Sequence, residues 1–372
     1  MEPTSELHRS SRDPARLRTG LEAWLARTLP PGAEPGVPLL EGTSANGMSS
    51  ETLLFEASWD EGGVRRTGRL VARVAPDEHD VPVFPRYDLE RQFRVLRLVG
   101  ELTDVPVPRV RWYEPDRSVL GAPFFVMERI DGVVPPDVLP YNFGDSWLFD
   151  ASPTNQRRLQ DATVDVLAEL HRLSADDERF AFLGDDPATG ATPLRRHLAR
   201  TTAWYRWCAG SDQRSSLIER CLGWLDDNFP ADEGAAVVSW GDSRIGNCMY
   251  RDFTPVGVLD WEMACLGPRE LDVCWMAYAH RVFEDFAVGF GTGGMPDFLR
   301  LDDVVARYEA TTGVGLQDLE WYSTYAAVQF AIVFLRTGQR QVHFGEKPAP
   351  ADADELVMNA EAVESMLAGT YW

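Results

Sequence analysis

The stretch Val237–Tyr250, VVSWGDSRIGNCMY, decides how the rest of the chain is read. An apolar run reaches Trp240, Gly241-Asp242 follow, and Asn247 stands five positions after the aspartate. Aspartate and asparagine at that spacing suit a loop that does chemistry, although both are also common in plain turns. Trp240 is bulky where a polar or basic residue is expected. Short strand patterns surround the loop, in AVVSW, CMY and VGVLDW, and Asp260 ends the last of them. Residues 236–260 therefore read as a strand–loop–strand insert.

Outward from the insert the pattern is helical. Upstream, NQRRLQDATVDVLAELHRL from Asn155 carries Leu159, Ala162, Val166, Leu170 and Leu173 as one apolar stripe. Further helical patterns begin near Pro193, Ser215, Arg269, Leu301, Asp318 and Asp352. The first third differs. Asp13-Pro14 opens a capped helix carrying Leu17, Leu21, Trp24, Leu25 and Leu29. Strand-like runs follow in TLLFEASW, RLVARVA, VPVPRVRWYE and GAPFFVMERIDG, with one helical segment at 88–102. These patterns predict an α+β chain in two lobes: a β-rich N-lobe with its leading helix over 1–127, and a helical C-lobe over 128–372.

Composition bounds the function. The chain has 372 residues, 44% of them hydrophobic, enough for a large core. Its formal charge of −22 argues against a broad basic face for nucleic acid. Lys347 is the only lysine, so phosphate contacts elsewhere fall to arginine. AAVQFAIVFL from Ala326 is too short to span a bilayer, and the N-terminus lacks a signal-peptide core. Five scattered cysteines form no C-x-x-C pair. They read as reduced thiols, so the expectation is a cytoplasmic protein with no membrane partner.

Asp242, four intervening residues and Asn247 match the second half of a kinase catalytic loop. There the aspartate accepts the proton of the acceptor hydroxyl and the asparagine holds magnesium. Asp260, delivered by an apolar strand, suits a rigidly held metal-binding carboxylate. Phosphoryl transfer needs such groups because its catalysis is mostly positioning and charge neutralisation.

WGDSRIGN and VLDWEMACLGPRELDVCWM together resemble the aminoglycoside phosphotransferase family, within the protein-kinase-like superfamily. VPVPRVRWYE and GAPFFVMERIDGVV are similar to the branch found as the phosphotransferase domain of acyl-CoA dehydrogenase fusions, and to aminoglycoside-phosphotransferase-like proteins of actinobacteria. The resemblance covers roughly residues 35–340 and implies a bilobal protein-kinase-like fold. It implies an ATP- or GTP-dependent kinase with Mg2+, acting on a small-molecule hydroxyl. Asp242 would be the catalytic base, and Asn247 and Asp260 the metal ligands. Gly47, Ser49 and Ser50, in GTSANGMSSET, would meet the nucleotide phosphates. Arg73 stands at the place of the kinase lysine, and Gln92 where the family has its glutamate partner. Glu128 and Ile130 would receive the adenine. Asp272 would brace the loop.

Trp240 occupies the place of a family histidine that supports the loop. An indole can fill that volume and donate one hydrogen bond, but it cannot titrate. Trp240 therefore reads as a structural substitution within a working site. His171 reads as a structural histidine. DVCWMAYAHRVFEDF offers Trp275, Tyr278, His280 and Arg281 as acceptor-site candidates. A second cationic cluster, Arg336, Arg340, His343 and Lys347, reads equally well as a solvated helix end. Cations and aromatics rather than carboxylates favour a hydroxy acid or acyl compound over a polycationic amino sugar. The alternative, motivated by Trp240 and Gln92, is a non-catalytic nucleotide-binding protein of the same fold. The oligomeric state stays open.

Overall fold

The computed structural model describes residues 13–43, 51–76 and 81–372. Gly47, Ser49 and Ser50 lie outside the described residues. The chain divides into two compact units, Met1–Glu101 with Pro108–Ile130, and Leu102–Val107 with Asp131–Trp372. The division falls at Ile130 rather than at 127, and the short segment 102–107 joins the second unit. The reason is local hydrogen bonding. Pro106 O accepts from Val258 N at 2.6 Å, and Asp104 N donates to Glu169 at 3.3 Å.

The first unit is a five-stranded antiparallel sheet with helices α1 (Pro14–Thr28), α2 (Leu89–Leu102) and α3 (Arg117–Leu120). Its strands are β1 (Gly36–Thr43), β2 (Glu51–Glu61), β3 (Val64–Val74), β4 (Val110–Glu114) and β5 (Phe124–Glu128), in the order β1-β2-β3-β5-β4. Strict alternation in β2 buries Leu53, Phe55, Ala57 and Trp59 on one face, as a period of two requires. Onto that face α1 lays Leu17, Leu21, Trp24 and Leu25, giving a core shared with Phe124 and Val126. Asp13 caps α1 by accepting from Ala15 N.

The second unit is helical around two small β-ladders. Its helices are α4 (Pro153–Leu170), α5 (Pro193–Ala209), α6 (Ser216–Asp227), α7 (Glu270–Gly289), α8 (Leu301–Thr312), α9 (Leu319–His343) and α10 (Ala360–Leu367). β6 (Ala236–Ser239) pairs with β9 (Cys265–Pro268), and β7 (Cys248–Arg251) pairs with β8 (Thr254–Val258). The strand-like VGVLDW ends as a strand at Val258, and Asp260 lies beyond it. The sequence pattern did not mark β9, because Cys265–Pro268 is four residues long and contains a glycine and a proline. Helices α7 and α9 are buried along most of their length and form the centre of this unit.

Candidate active site

β6 ends at Ser239 and delivers Trp240, Gly241 and Asp242. Gly241 has φ of 88°, and a Cβ there would stand 2.4 Å from Met263 O. Both facts restrict the position to glycine. The loop is then tied to the first turn of α7. Asp272 accepts from Trp240 N at 2.7 Å and Gly241 N at 2.8 Å, while Ser243 Oγ donates to Asp272 O at 2.7 Å. His171 Nε2 lies 3.0 Å from the same carboxyl, and its Nδ1 is 2.8 Å from the Tyr308 hydroxyl. Asp272 is fully buried and His171 nearly so. Buried carboxyls persist when fully hydrogen-bonded, and this one has three donors.

Trp240 is fully buried. Its Nε1 donates to Leu259 O at 2.8 Å, and its ring lies 6.1 Å from that of Trp261. Leu259 N in turn donates to Asn247 O at 2.8 Å. The Asp242 loop and the segment carrying Asp260 are thus fastened together by the indole and by this backbone hydrogen bond.

The Asp242 carboxylate is held by three side chains. Trp275 Nε1 donates to Oδ1 at 2.8 Å, Asn247 Nδ2 to Oδ2 at 2.7 Å, and Arg244 Nε to both oxygens at 3.2 Å. Its side chain remains 15% exposed. Arg244 also pairs with Asp137. Burial opposes the guanidinium charge, but Asp137 and then Asp242 outweigh it and raise its pKa above the usual arginine value. Gly246 makes this pairing possible, since a Cβ there would come within 2.4 Å of Asp137 Oδ1. That Asp137 oxygen is buried without a hydrogen bond.

Asn247 spends its amide nitrogen on Asp242, at the backbone O (3.0 Å) and at Oδ2. Its Oδ1 accepts no hydrogen bond among the described residues. Asp260 holds a left-handed backbone, φ 58°, a conformation that costs a non-glycine residue free energy and persists only where the surroundings impose it. A carboxylate and an open amide oxygen are hard donors of the kind Mg2+ takes, with substrate phosphates and water completing its shell. These residues fit that ion.

The profile of the phosphotransferase enzyme family (APH) matches residues 53–304. The chain belongs to this phosphotransferase family. It is 27% identical over 308 residues to "Probable acyl-CoA dehydrogenase IBR3" of Arabidopsis thaliana, covering 79% of this chain and 35% of that protein. It is 26% identical over 250 residues to human acyl-CoA dehydrogenase family member 11, covering 66% and 29%. The chain thus spans about a third of the length of these curated relatives. Among solved structures, a Ralstonia eutropha protein assigned as an aminoglycoside phosphotransferase superposes with a TM-score of 0.63 at 22% identity, covering 94% of this chain and 96% of that one. The gentamicin complex of APH(2")-IIa superposes with a TM-score of 0.57 at 12% identity, covering 98% and 99%. The fold is the bilobal, protein-kinase-like fold of these phosphotransferases.

In this phosphotransferase the acceptor candidates separate. Trp275 reaches Asp242. His280 lines a small cavity of about 10 Å³, room for one water, together with Asp137, Tyr141, Arg244, Met276 and Phe283. Its Nε2 donates to Met295 O at 3.1 Å, so Nδ1 accepts from the Tyr141 hydroxyl at 2.7 Å. Burial holds its pKa down to about 4, and the ring is neutral. Tyr278 and Arg281 are not brought to this group. Tyr278 is fully buried and accepts from Asn359 Nδ2 at 2.8 Å, while Arg281 pairs with Asp285 and lies over the Tyr371 ring. Arg336 and Arg340 lie over the rings of Trp207 and Phe344.

In the first unit, Arg73 Nη1 donates to Thr52 Oγ1 at 3.0 Å. Gln92 is buried on α2, and its side chain makes no hydrogen bond with Arg73 among the described residues. The register explains the Thr52 contact: Thr52 and Arg73 are direct partners in the β2–β3 ladder. Glu128 pairs with Arg111. Its N–H donates to Arg109 O at 2.9 Å, whereas the Ile130 peptide makes no hydrogen bond among the described residues.

Sequence reasoning gave no role to Asp137, Arg244 or Ser243. Arg244 had a signal, since it lies inside the Asp242–Asn247 loop. Asp137 had none, because its partner is 107 residues away.

Proposed function

We propose that this chain is an ATP- or GTP-dependent phosphotransferase that moves the γ-phosphoryl group to the hydroxyl of a small molecule. One observation carries the reading: the Asp242 carboxylate is held by Trp275, Asn247 and Arg244, yet its side chain stays 15% exposed. A carboxylate so positioned can accept a hydroxyl proton as the oxygen attacks. Asn247 and Asp260 would hold Mg2+, which when bound neutralises phosphate charge. Arg73 would meet the nucleotide phosphates with a planar set of donors, and Ile130 would offer its free peptide to the adenine. Ser49, Ser50 and Gly47 would line the phosphate loop, Glu128 would receive the adenine with Ile130, and Gln92 would stand at the place of Arg73's glutamate partner. The complexes of related folds with ADP and GDP support nucleotide use.

The acceptor is a hydroxy acid or acyl compound in preference to a polycationic amino sugar. Arg244 is the cation beside the base. Of the residues lining the adjacent cavity, Asp137 is the one carboxylate, and Arg244 already occupies it. Gentamicin and streptomycin bind the related APH(2")-IIa, so an amino sugar is the comparison that decides. The test is an ADP- and GDP-release screen with Mg2+, comparing hydroxy acids, hydroxyacyl thioesters and kanamycin. Turnover is expected with the first two classes. Efficient turnover of kanamycin alone would reverse the acceptor assignment, and no turnover with nucleotide bound would favour a non-catalytic binding protein.

A further inference from the structure

A cavity of about 360 Å³ opens in the second unit, within the size range of small-ligand sites. It lies at the start of β6, among residues 232–235, the first residues of α7 and the turn ahead of α9. Five residues lie between Ala235 and Gly241, roughly 15–20 Å of extended chain. None of the cavity's lining residues belongs to the Asp242 loop.

Asp232, Glu233, Glu270 and Asp318 line it, with Arg269 as its one basic side chain. Acidic surface is ordinary on a chain of charge −22, and these carboxylates alone would mean little. Tyr322 changes the reading. It lines the cavity, is only 3% exposed, and packs edge-on against Trp321. Its hydroxyl nevertheless makes no hydrogen bond among the described residues.

Buried tyrosine hydroxyls normally find a partner, and the others here do. Tyr141 meets His280, Tyr250 meets Thr163, Tyr278 meets Asn359, Tyr308 meets His171, and Tyr325 meets Thr201 and His197. Glu270 lines the same cavity. It is 8% exposed, and one of its oxygens accepts from Gln317 N at 3.3 Å. Burial, and then the charges of Glu270 and Glu233, raise the Tyr322 pKa. Burial likewise raises the pKa of Glu270 itself.

An excess of carboxylates excludes an anion. No set of three or more His, Cys, Asp or Glu side chains is grouped to hold a metal ion among the described residues. Val314 and Ala235 add an apolar wall. We infer that this cavity binds a small alkylammonium compound, its N–H groups donating to Glu270 and to the Tyr322 oxygen and its carbon chain lying on Val314 and Ala235.

Calorimetric titration of the full chain with putrescine and n-butylamine tests this without nucleotide, so its result stands apart from the phosphotransferase reading. Saturable binding is expected, weakened about tenfold or more by both Tyr322→Phe and Glu270→Gln, as expected for a lost hydrogen bond to a charged group. Tyr322→Phe removes a hydroxyl that has no partner, so the unliganded melting temperature should stay at the wild-type value and show that this variant folds. Tetramethylammonium, which has no N–H, should not bind. Absence of saturable amine binding would overturn the inference. So would amine binding that survives both substitutions, or an equal response to tetramethylammonium.

Discussion

Trp275 on α7 donates its indole N–H to Asp242 Oδ1 at 2.8 Å, across 33 residues of chain. The indole is a donor only and does not titrate. It therefore fixes the carboxylate's rotamer without competing for the proton. Its ring centroid is 4.6 Å from that of Phe330, which anchors the side chain independently of the hydrogen bond.

That anchoring makes Trp275→Phe informative. The phenyl ring keeps the Phe330 contact while the donor is lost. A hydrogen bond to a charged group contributes about 1.5–3 kcal/mol, so transfer should slow by roughly 10- to 100-fold. The nucleotide affinity should change little. Initial rates at saturating nucleotide check this, and an unchanged rate would remove Trp275 from the positioning of Asp242.

Nucleotide binding and transfer should separate between Asp260 and Asp242. Asp260→Ala removes a proposed metal ligand and should weaken Mg-nucleotide binding. Asp242→Asn should leave that binding nearly intact and cut transfer severely, because the amide cannot take the proton. Binding titrations beside single-turnover rates distinguish the two. Wild-type behaviour in both variants would end the kinase reading.

Trp240 and Asp272 should matter for stability first. Emptying a fully buried indole site with Trp240→Ala should cost about 3–5 kcal/mol, while Trp240→His should fold and retain activity. Asp272→Ala leaves the Trp240 and Gly241 N–H groups unpaired in the interior. That should cost about 1–3 kcal/mol for each such group. Urea unfolding measures both. A Trp240→Ala protein as stable as wild type, but inactive, would place the indole at the substrate instead.

Much of this was legible in the sequence where the signal was local. Asp242, Asn247 and Asp260 are written within 19 positions, and the helical stripe of α4 is continuous. Contacts made across the fold left no such trace. The Asp137–Arg244 pair joins residues 107 apart, and the His171–Asp272 contact joins residues 101 apart. Neither could be read from periodicity. Tyr278 and Arg281 show the converse. They neighbour Trp275 and His280 along α7, but the helix turns them toward Asn359 and Tyr371. Gln92 is buried on α2, and ladder register sets Arg73 opposite Thr52.

His280 should give the fold an acid-sensitive limb. Its neutral form is fixed from both sides, by the Tyr141 hydroxyl donating to Nδ1 and by Met295 O accepting from Nε2. Glu284 Oε1 lies 3.7 Å from Nε2, but burial dominates and lowers the folded pKa from 6.5 to about 4. The unfolded imidazole takes up its proton near pH 6.5. Between that pH and about 4 the unfolded chain binds more protons than the folded one, so stability falls as the pH is lowered through this window. Below about 4 both forms are protonated and this group causes no further loss. Each pKa unit corresponds to 1.36 kcal/mol, so the whole effect is on the order of 3 kcal/mol. In His280→Asn that dependence should vanish, leaving a flatter profile even if the variant is less stable throughout. Urea unfolding free energies of the two proteins, compared from about pH 7 down to about pH 4, check it. Parallel profiles would show that His280 does not carry the acid sensitivity.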